Sequence, residues 1–205
     1  MDRRTFTGLL SVGAISASTA PIFAENTTSN PIDIPDMIMG SEDAPITIIE
    51  YASFTCPHCA NFHKNVFPSL RKNYIDSGKV KFIYREVYFD GPGLWAALLA
   101  RCGGDKKYFG ISDLLYSKQR EWTKGDGGAE IAQNLYKIGR IAGLQQKDME
   151  TCLQNKDVAT AMVARFQETS KADNISSTPT LVLNGKNIGN MSYTELAALI
   201  DEAMS

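Results

Sequence analysis

The sequence predicts an α/β protein in which a large helical insertion interrupts one sheet. Two β-branched runs, at residues 46–51 and 80–87, lie on either side of an amphipathic helical pattern. A strand, a crossover helix and a second strand form a βαβ unit, so these two strands should be parallel. The pattern is then helical from about residue 91 to 172, after which an apolar run at 180–183 resumes the sheet.

The composition supports this class and excludes others. A chain of 205 residues fits one domain, or one domain with a large insertion, and an apolar fraction of 43% can build a core. A wholly disordered chain is therefore excluded. Because 21 Lys and Arg face 23 Asp and Glu, the net charge is -2, and no basic excess exists to neutralise phosphates. We therefore expect no nucleic acid partner.

The first 24 residues have the three parts of an export signal. Arg3 and Arg4 supply the positive start, residues 6–20 the apolar middle, and residues 22–24 a small-residue end, so we place cleavage after Ala24. The run 2–6 also resembles a twin-arginine signal, which leaves both export routes open, as well as an uncleaved membrane anchor. We expect a periplasmic protein. In that compartment thiols are oxidised, and the four cysteines can form two bridges.

After the signal, residues 25–36 are polar and without periodicity, which predicts a flexible leader. Residues 37–91 and 173–205 form the predicted sheet domain, and residues 92–172 the predicted helical insertion. In the first part, apolar residues at three- and four-residue spacing follow the strand at 46–51 and predict a helix. Pro68 should kink that helix, because proline has no backbone N–H to donate.

Within the insertion, four segments have helical patterns, with glycine pairs marking the turns between them: 95–101, 107–119, 129–142 and 147–170. The last should break near Asn155. After the strand at 180–183, Asn184-Gly185 is a strong signal for a two-residue hairpin. Ser192 with Glu195 three residues later predicts a capping box at the start of a final helix.

The chemistry-bearing motif is Cys56-Pro57-His58-Cys59, which follows a buried strand and opens a helix. At that position Cys56 faces unpaired backbone N–H groups and the positive end of the helix, and both favour the thiolate. Cys59, one turn later, should be more buried and able to attack a mixed disulfide. Pro57 suits the first helical position, and His58 can supply positive charge or a hydrogen-bond donor.

Two other interpretations of this motif are an inert bridge and half of a zinc or copper site. A zinc site needs more ligands, but the chain has only two histidines, His58 and His63, and no second Cys-x-x-Cys. We therefore expect no metal, and no cofactor besides the redox-active disulfide between Cys56 and Cys59. We expect His63 to lie on the solvated face of its helix, without a role.

Residues 48–59, which read Ile-Ile-Glu-Tyr-Ala-Ser-Phe-Thr-Cys-Pro-His-Cys, resemble the active-site segment of DsbA-type thiol:disulfide oxidoreductases of the thioredoxin superfamily. Residues 177–180, Ser-Thr-Pro-Thr, match a second piece: thioredoxin-fold proteins place a cis-proline there, against the active-site disulfide. A third match is the helical block between the second strand and this Thr-Pro pair. The resemblance covers residues 37–204 and implies a thioredoxin fold with an inserted helical domain.

The resemblance also implies roles for individual residues. Cys56 would be the nucleophile and Cys59 the resolving thiol, with the two residues between them tuning the pair. Thr178 and cis-Pro179 would form the facing loop that helps to bind substrate. Glu50 lies on a strand otherwise built for burial, where a carboxylate is costly. In the family, an acidic residue beneath the disulfide relays the proton of the resolving cysteine; an edge carboxylate that reaches water is the alternative.

The remaining cysteines, Cys102 and Cys152, are alone in their neighbourhoods, and both lie in the helical block. Some DsbA-like proteins carry a second, structural disulfide there, so the resemblance implies a bridge between them. That bridge would close a loop of about 50 residues, worth on the order of 4 kcal/mol in the chain-entropy model. Two separate buried thiols are the alternative. We expect Trp95 and Trp122 to pack within the helical domain.

These observations favour an exported dithiol oxidase that acts on reduced exported proteins and is restored by a DsbB-like membrane partner. A disulfide isomerase or reductase on the same fold is the main alternative. Exported isomerases of this superfamily usually carry an N-terminal dimerisation domain, whereas only about 20 residues separate Ala24 from the first predicted strand. This favours an oxidase over an isomerase, and a trimerising or redox-specialised relative is a further alternative. We expect a monomer. A metal carrier is the third hypothesis, and the absence of Met- or His-rich tracts counts against it.

Overall fold

A computed structural model of the protein describes residues 32–205. The predicted export signal, residues 1–24, and most of the predicted leader, residues 25–31, lie outside this range. None of the helices in the range is both long enough and apolar enough to span a bilayer.

The described chain contains a five-stranded mixed sheet. Its strands are β1 (Met37–Met39), β2 (Ile46–Ala52), β3 (Val80–Glu86), β4 (Thr180–Leu183) and β5 (Lys186–Gly189). They lie side by side in the order β1-β3-β2-β4-β5. β2 and β3 are parallel, which confirms the predicted βαβ unit, and the other neighbours are antiparallel.

Helices cover the sheet and form the segment between β3 and β4. Those of the described chain are α1 (Pro57–Asn65), α2 (Phe67–Leu70), a short π-helix (Arg71–Ile75), α3 (Gly91–Cys102), α4 (Asp105–Ser117), α5 (Gln119–Trp122), α6 (Gly128–Ile141), α7 (Gln146–Leu153), α8 (Lys156–Ala172) and α9 (Tyr193–Ala203). Together with the sheet they make an α/β thioredoxin-like fold. The four predicted helices of the insertion are all present. The last of them is divided into α7 and α8, and α5 is an additional short helix.

The helix breaks follow from local chemistry. Pro68 lies in the first turn of α2, where its missing N–H costs nothing, and the crossover helix is interrupted just before it at Val66. The predicted break near Asn155 is confirmed, because its side chain caps α8 by accepting a hydrogen bond from the N–H of Val158 at 3.0 Å.

α3 begins four residues earlier than the sequence pattern predicts. The side chain of Asp90 accepts a hydrogen bond from the N–H of Gly93 at 2.7 Å, and Pro92 occupies the first turn. A capping side chain and a proline in the first turn are both standard signals of a helix start, and a search for apolar periodicity does not detect them.

The hairpin and the final cap agree with the sequence. Asn184 and Gly185 have φ angles of 46° and 82°, as a two-residue turn between β4 and β5 requires. The capping box between Ser192 and Glu195 is present at the start of α9.

The segment that precedes β2 in the sequence already packs against the sheet, which the sequence pattern does not predict. Strand β1 pairs with β3, although three residues are too few for a periodic pattern. Just before β1, Ile34 is 7% exposed and Asp36 forms an ion pair with Arg85 at 2.9 Å. The last residues of the predicted leader are therefore packed against the sheet.

The two faces of β2 bury different residues because successive side chains of a strand alternate. Ile46, Ile48 and Ala52 belong to the large core that also contains α1 and most of the insertion. Tyr51 points to the opposite face, into a smaller cluster with Val182. Glu50 shares the parity of Ile48, so its carboxylate is placed beneath α1.

Close packing also holds the insertion together. Gly139 of α6 is in contact distance of Met149 of α7, and a Cβ at this glycine would overlap the methionine sulfur. Cys102 at the end of α3 forms a disulfide with Cys152 of α7, with their Cα atoms 5.7 Å apart. Helices α3, α6 and α7 thus form one packed group.

Candidate active site

The two motif cysteines lie where strand β2 passes into helix α1. Cys56 is the N-cap of α1, with an extended backbone, and Pro57 occupies the first helical position. Both cysteines of the motif are free thiols: Cys56 is partly exposed, whereas Cys59 is fully buried. His58 between them is exposed to solvent. The motif therefore presents one sulfur to a partner and keeps the other inside.

The surroundings move the pKa values of the two thiols in opposite directions. Hydrogen bonds from the Cys59 thiol, from Thr178 and from the backbone N–H groups of Cys59 and His58 lower the pKa of Cys56 to about 5, against partial burial. Burial, the neighbouring Cys56 sulfur and the negative charge of Glu50 raise the pKa of Cys59. At neutral pH the pair is therefore a Cys56 thiolate beside a Cys59 thiol.

The loop before β4 faces Cys56. The peptide bond between Thr178 and Pro179 is cis, and the carbonyl oxygen of Thr178 lies 3.5 Å from the Cys56 sulfur. The hydroxyl of Thr180 donates to the carbonyl of Ser177 at 2.8 Å and closes the loop. The loop therefore lies directly beside the partly exposed sulfur.

Glu50 lies behind the motif and has no access to water. Its side chain is 0% exposed, and its Oε2 is 3.0 Å from Nε2 of His63. The alternative of an edge carboxylate that reaches water is therefore wrong.

The prediction that His63 lies on the solvated face of α1 is also wrong. Its side chain is 5% exposed, and its ring stacks on Tyr116 of α4 with centroids 4.1 Å apart. One sequence signal could have indicated this: His63 follows Cys59 by four residues, so both lie on the same face of the helix.

Gln119 is a site residue that the sequence does not reveal. It begins α5 and is 6% exposed. Its side-chain amide donates to the carbonyl oxygen of Phe54 at 2.7 Å and to that of Cys56 at 3.0 Å. These bonds attach the helical insertion to the loop that presents the reactive sulfur.

The other candidate residues lie away from this site. The Cys102–Cys152 disulfide is within the insertion. Trp122 is 1% exposed and donates its indole N–H to the carbonyl of Leu115 at 2.8 Å, and Trp95 packs against the large core. In residues 32–205, no cluster of three or more His, Cys, Asp or Glu side chains is arranged to hold a metal ion.

Sequence comparison agrees with this arrangement. The sequence model of the family described as Thioredoxin matches residues 33–202. A relative from Rickettsia conorii, whose name describes it as a protein-disulfide oxidoreductase, is 32% identical over 174 residues. That alignment covers 84% of this chain and 62% of the relative, so the chain spans less than two thirds of the relative's length. Disulfide bond formation protein D of Bacillus subtilis is 30% identical, with 82% of this chain and 76% of that protein covered.

Solved structures give the same result. Wolbachia pipientis α-DsbA1 superposes with a TM-score of 0.77 at 28% identity, covering 84% of this chain and 92% of that one. BdbD of Bacillus subtilis superposes with a TM-score of 0.71 at 26% identity, covering 82% and 92%. The chain therefore belongs to the thioredoxin family, among its DsbA-like members.

Proposed function

We propose that this protein is an exported thiol:disulfide oxidoreductase that works as an oxidase and introduces disulfide bonds into reduced proteins. The observation that carries the proposal is the opposite perturbation of the two thiols, with the pKa of Cys56 lowered to about 5 and that of Cys59 raised. A low-pKa thiol is a good leaving group, so the Cys56–Cys59 disulfide is easily reduced and strongly oxidising. The names of the relatives, protein-disulfide oxidoreductase and disulfide bond formation protein, support this chemistry.

The proposed reaction begins with the Cys56–Cys59 disulfide. A substrate thiolate attacks the Cys56 sulfur, the bond between the two cysteines breaks, and Cys59 leaves and is protonated. A second thiolate of the same substrate then attacks the substrate sulfur of this mixed disulfide, which forms the product disulfide and releases the Cys56 thiolate. Two electrons have passed to the protein, and a DsbB-like membrane partner would remove them.

The geometry favours attack at Cys56 over attack at Cys59. The Cys59 sulfur is fully buried, whereas that of Cys56 is partly exposed beside the loop of Thr178 and Pro179. The Cys56 thiolate is also the better stabilised product. The export signal that the sequence predicts at residues 1–24 supports a periplasmic site of action, where reduced substrates emerge.

Refolding assays with reduced and with scrambled ribonuclease separate the oxidase from the isomerase. We expect the protein to oxidise reduced ribonuclease rapidly and to rescue scrambled ribonuclease poorly. Replacing Cys56 by Ser should abolish oxidation, because the attacked sulfur is lost. The matched control replaces both Cys102 and Cys152 by Ala, which leaves the active pair in place and should retain oxidation. Efficient rescue of scrambled ribonuclease would contradict the proposal and favour the isomerase.

A further inference from the structure

The buried pair of Glu50 and His63 contains two polar atoms that the exchange reaction leaves unexplained. Oε2 of Glu50 and Nε2 of His63 are 3.0 Å apart. Their other polar atoms, Oε1 of Glu50 and Nδ1 of His63, are buried without a hydrogen-bond partner among residues 32–205. Buried polar atoms are normally paired, so two such atoms on one pair of side chains call for a reason.

A cavity of about 900 Å³, open to solvent, lies beside the active-site helix, between α1, α2 and helices α4 and α5 of the insertion. His63 lines this cavity together with Tyr116 and Asp113, whereas Glu50 does not. Glu50 in turn is close enough to Cys59 for its charge to act on that thiol. His63 therefore contacts both the buried carboxylate and the cavity.

The exchange reaction needs a proton route at this place. When Cys59 resolves a mixed disulfide on Cys56, its thiol must lose a proton, although its sulfur is fully buried. When a substrate attacks the oxidised protein, Cys59 leaves as a thiolate and must regain one. Neither proton can be exchanged directly with solvent at the sulfur.

We propose that His63 couples the Glu50 carboxylate to the cavity: as Glu50 takes up or gives back the Cys59 proton, His63 releases or binds a proton at Nδ1 and so compensates the change of charge on the carboxylate. The inference rests on the proposed thiol–disulfide exchange function. In the reduced protein, Glu50 is a carboxylate and both ring nitrogens of His63 carry protons. During resolution, Cys59 attacks the Cys56 sulfur, the bond to the departing thiolate breaks, and the Cys59 proton moves to Oε1 of Glu50. His63 then releases its Nδ1 proton towards the cavity that its side chain lines.

The protons balance over a full cycle. The oxidised protein holds a protonated Glu50, whose Oε2 accepts from Nε2–H of a neutral His63. When a substrate thiolate attacks Cys56, the departing Cys59 thiolate takes the proton from Oε1, and Nδ1 takes one from the cavity. Each half of the cycle thus moves one proton between Cys59 and Glu50 and one between Nδ1 of His63 and the cavity, and the two halves run in opposite directions. The two unpaired buried atoms are the ones that this route uses.

The other ionisable groups near the pair are few. Tyr84 of β3 and Tyr116 of α4 pack against the His63 ring, and burial raises the pKa of both phenols, so they stay neutral. Burial raises the pKa of Asp113 of α4, and the nearby His63 and Arg71 side chains oppose this shift. The guanidinium of Arg71, in the π-helix, lies 3.9 Å from the Asp113 carboxylate. Cys59 is the thiol on the other side of the carboxylate. The two phenols supply no competing proton, and Asp113 lies on the cavity side of His63.

A stopped-flow experiment in which glutathione disulfide oxidises the reduced protein resolves the step in which Cys59 loses its proton. The first phase, attack of the Cys56 thiolate on glutathione disulfide, depends on glutathione concentration and needs no proton from Cys59. The second phase, attack by Cys59, does not depend on that concentration. We expect His63→Gln to leave the first phase unchanged and to slow the second by about tenfold or more. This is less than the roughly hundredfold or more that a positioned acid–base group contributes at the reacting atoms, because His63 acts through Glu50.

Three further variants test the route itself. His63→Ala leaves space next to the cavity, so added imidazole should restore much of its second-phase rate. Combining His63→Gln with Glu50→Gln should slow the second phase no more than Glu50→Gln alone, because both changes interrupt one route. Lys64→Gln is the matched control: Lys64 is exposed, lines the same cavity and should leave both phases unchanged.

The histidine can also be followed in the unmodified protein, which keeps the test valid if a variant fails to fold. Nitrogen chemical shifts of His63 should show Nδ1 protonated in the reduced form and unprotonated in the oxidised form near neutral pH. Identical shifts in the two forms, an unchanged second phase in His63→Gln, or a slowed phase that imidazole does not restore would each overturn the role of His63. Normal two-phase exchange without oxidation of reduced ribonuclease would instead refute the oxidase and leave the proton route in place.

Discussion

Lowering the pH should remove a measurable part of the stability of the reduced protein, because the Cys56 thiolate stabilises the folded state. In the folded chain the pKa of this thiol is about 5, compared with about 8.5 for an ordinary thiol in the unfolded chain. Since the folded pKa is the lower one, the contribution is complete above about pH 8.5 and is lost as the pH falls through about 5. Reduced protein should therefore be relatively less stable in acid.

The magnitude follows from the same two values. An assay pH of about 7.5 is about 2.5 units above the folded pKa and still below the unfolded pKa. At about 1.4 kcal/mol per unit, the thiolate contributes about 3.5 kcal/mol at that pH. Water screens the partly exposed sulfur, so we reduce this to about 2 kcal/mol. Working below pH 8.5 also avoids the opposing contribution of Cys59, whose pKa is raised by burial. At about pH 4 the contribution should be close to zero.

Denaturant unfolding of the reduced and oxidised forms at both pH values measures this quantity. The oxidised form has neither thiol at the active site, so subtracting its free energy of unfolding removes the contributions of those titrating groups whose surroundings and protonation are the same in both forms. We expect the difference, reduced minus oxidised, to rise by about 2 kcal/mol from pH 4 to pH 7.5. A Cys56→Ser variant should lack most of this pH dependence. A difference that does not change with pH, or Cys56 alkylation that titrates near 8.5, would refute the reasoning.

Two further predictions concern the helical insertion. The disulfide between Cys102 and Cys152 closes a loop of 50 residues and should survive mild reductant that fully opens the active-site pair; thiol counting should find two reactive thiols, and four would contradict this. Replacing Gly139 by Ala should destabilise the protein by about 1–3 kcal/mol in denaturant melts, because a methyl group there overlaps Met149. Gly110→Ala, in an exposed helical position with open space around it, is the control and should stabilise by about 0.5–1 kcal/mol; equal effects of the two would refute the packing argument.

The predictable parts of the fold are those that depend on residue types at short spacings along the chain. The parallel pair of strands follows from two β-branched runs around one helix, and the turn at Asn184 and the cap at Ser192 follow from residue types at fixed spacing. Strand β1 pairs with a strand more than 40 positions away in the sequence. It has only three residues, which are too few to show the alternating pattern that predicts a strand. Its formation depends on tertiary packing, which a local pattern does not contain.

The same distinction applies to the site. The reactive thiols were predictable because a strand, two cysteines and a helix start are adjacent in the sequence. The burial of His63 depends on Tyr116, which lies on a helix of the insertion and covers the face where the imidazole would otherwise meet water. Gln119 reaches its carbonyl partners from 63 and 65 residues away, and a glutamine carries no local sign of such a bond.

The amide of Gln119 makes the helical insertion a part of the loop that carries the reactive sulfur. One side chain satisfies two main-chain carbonyls there, that of Phe54 before the motif and that of Cys56 within it. If the insertion were to unfold by itself or move away by more than a hydrogen bond's reach, the Phe54 oxygen would lose its side-chain donor, at about 1–3 kcal/mol where it stays buried. The Cys56 oxygen would keep only the N–H of Ala60, 3.2 Å away. A shortened chain without the insertion would therefore not be a smaller oxidoreductase, because the loop before Cys56 would lose the group that fixes its position.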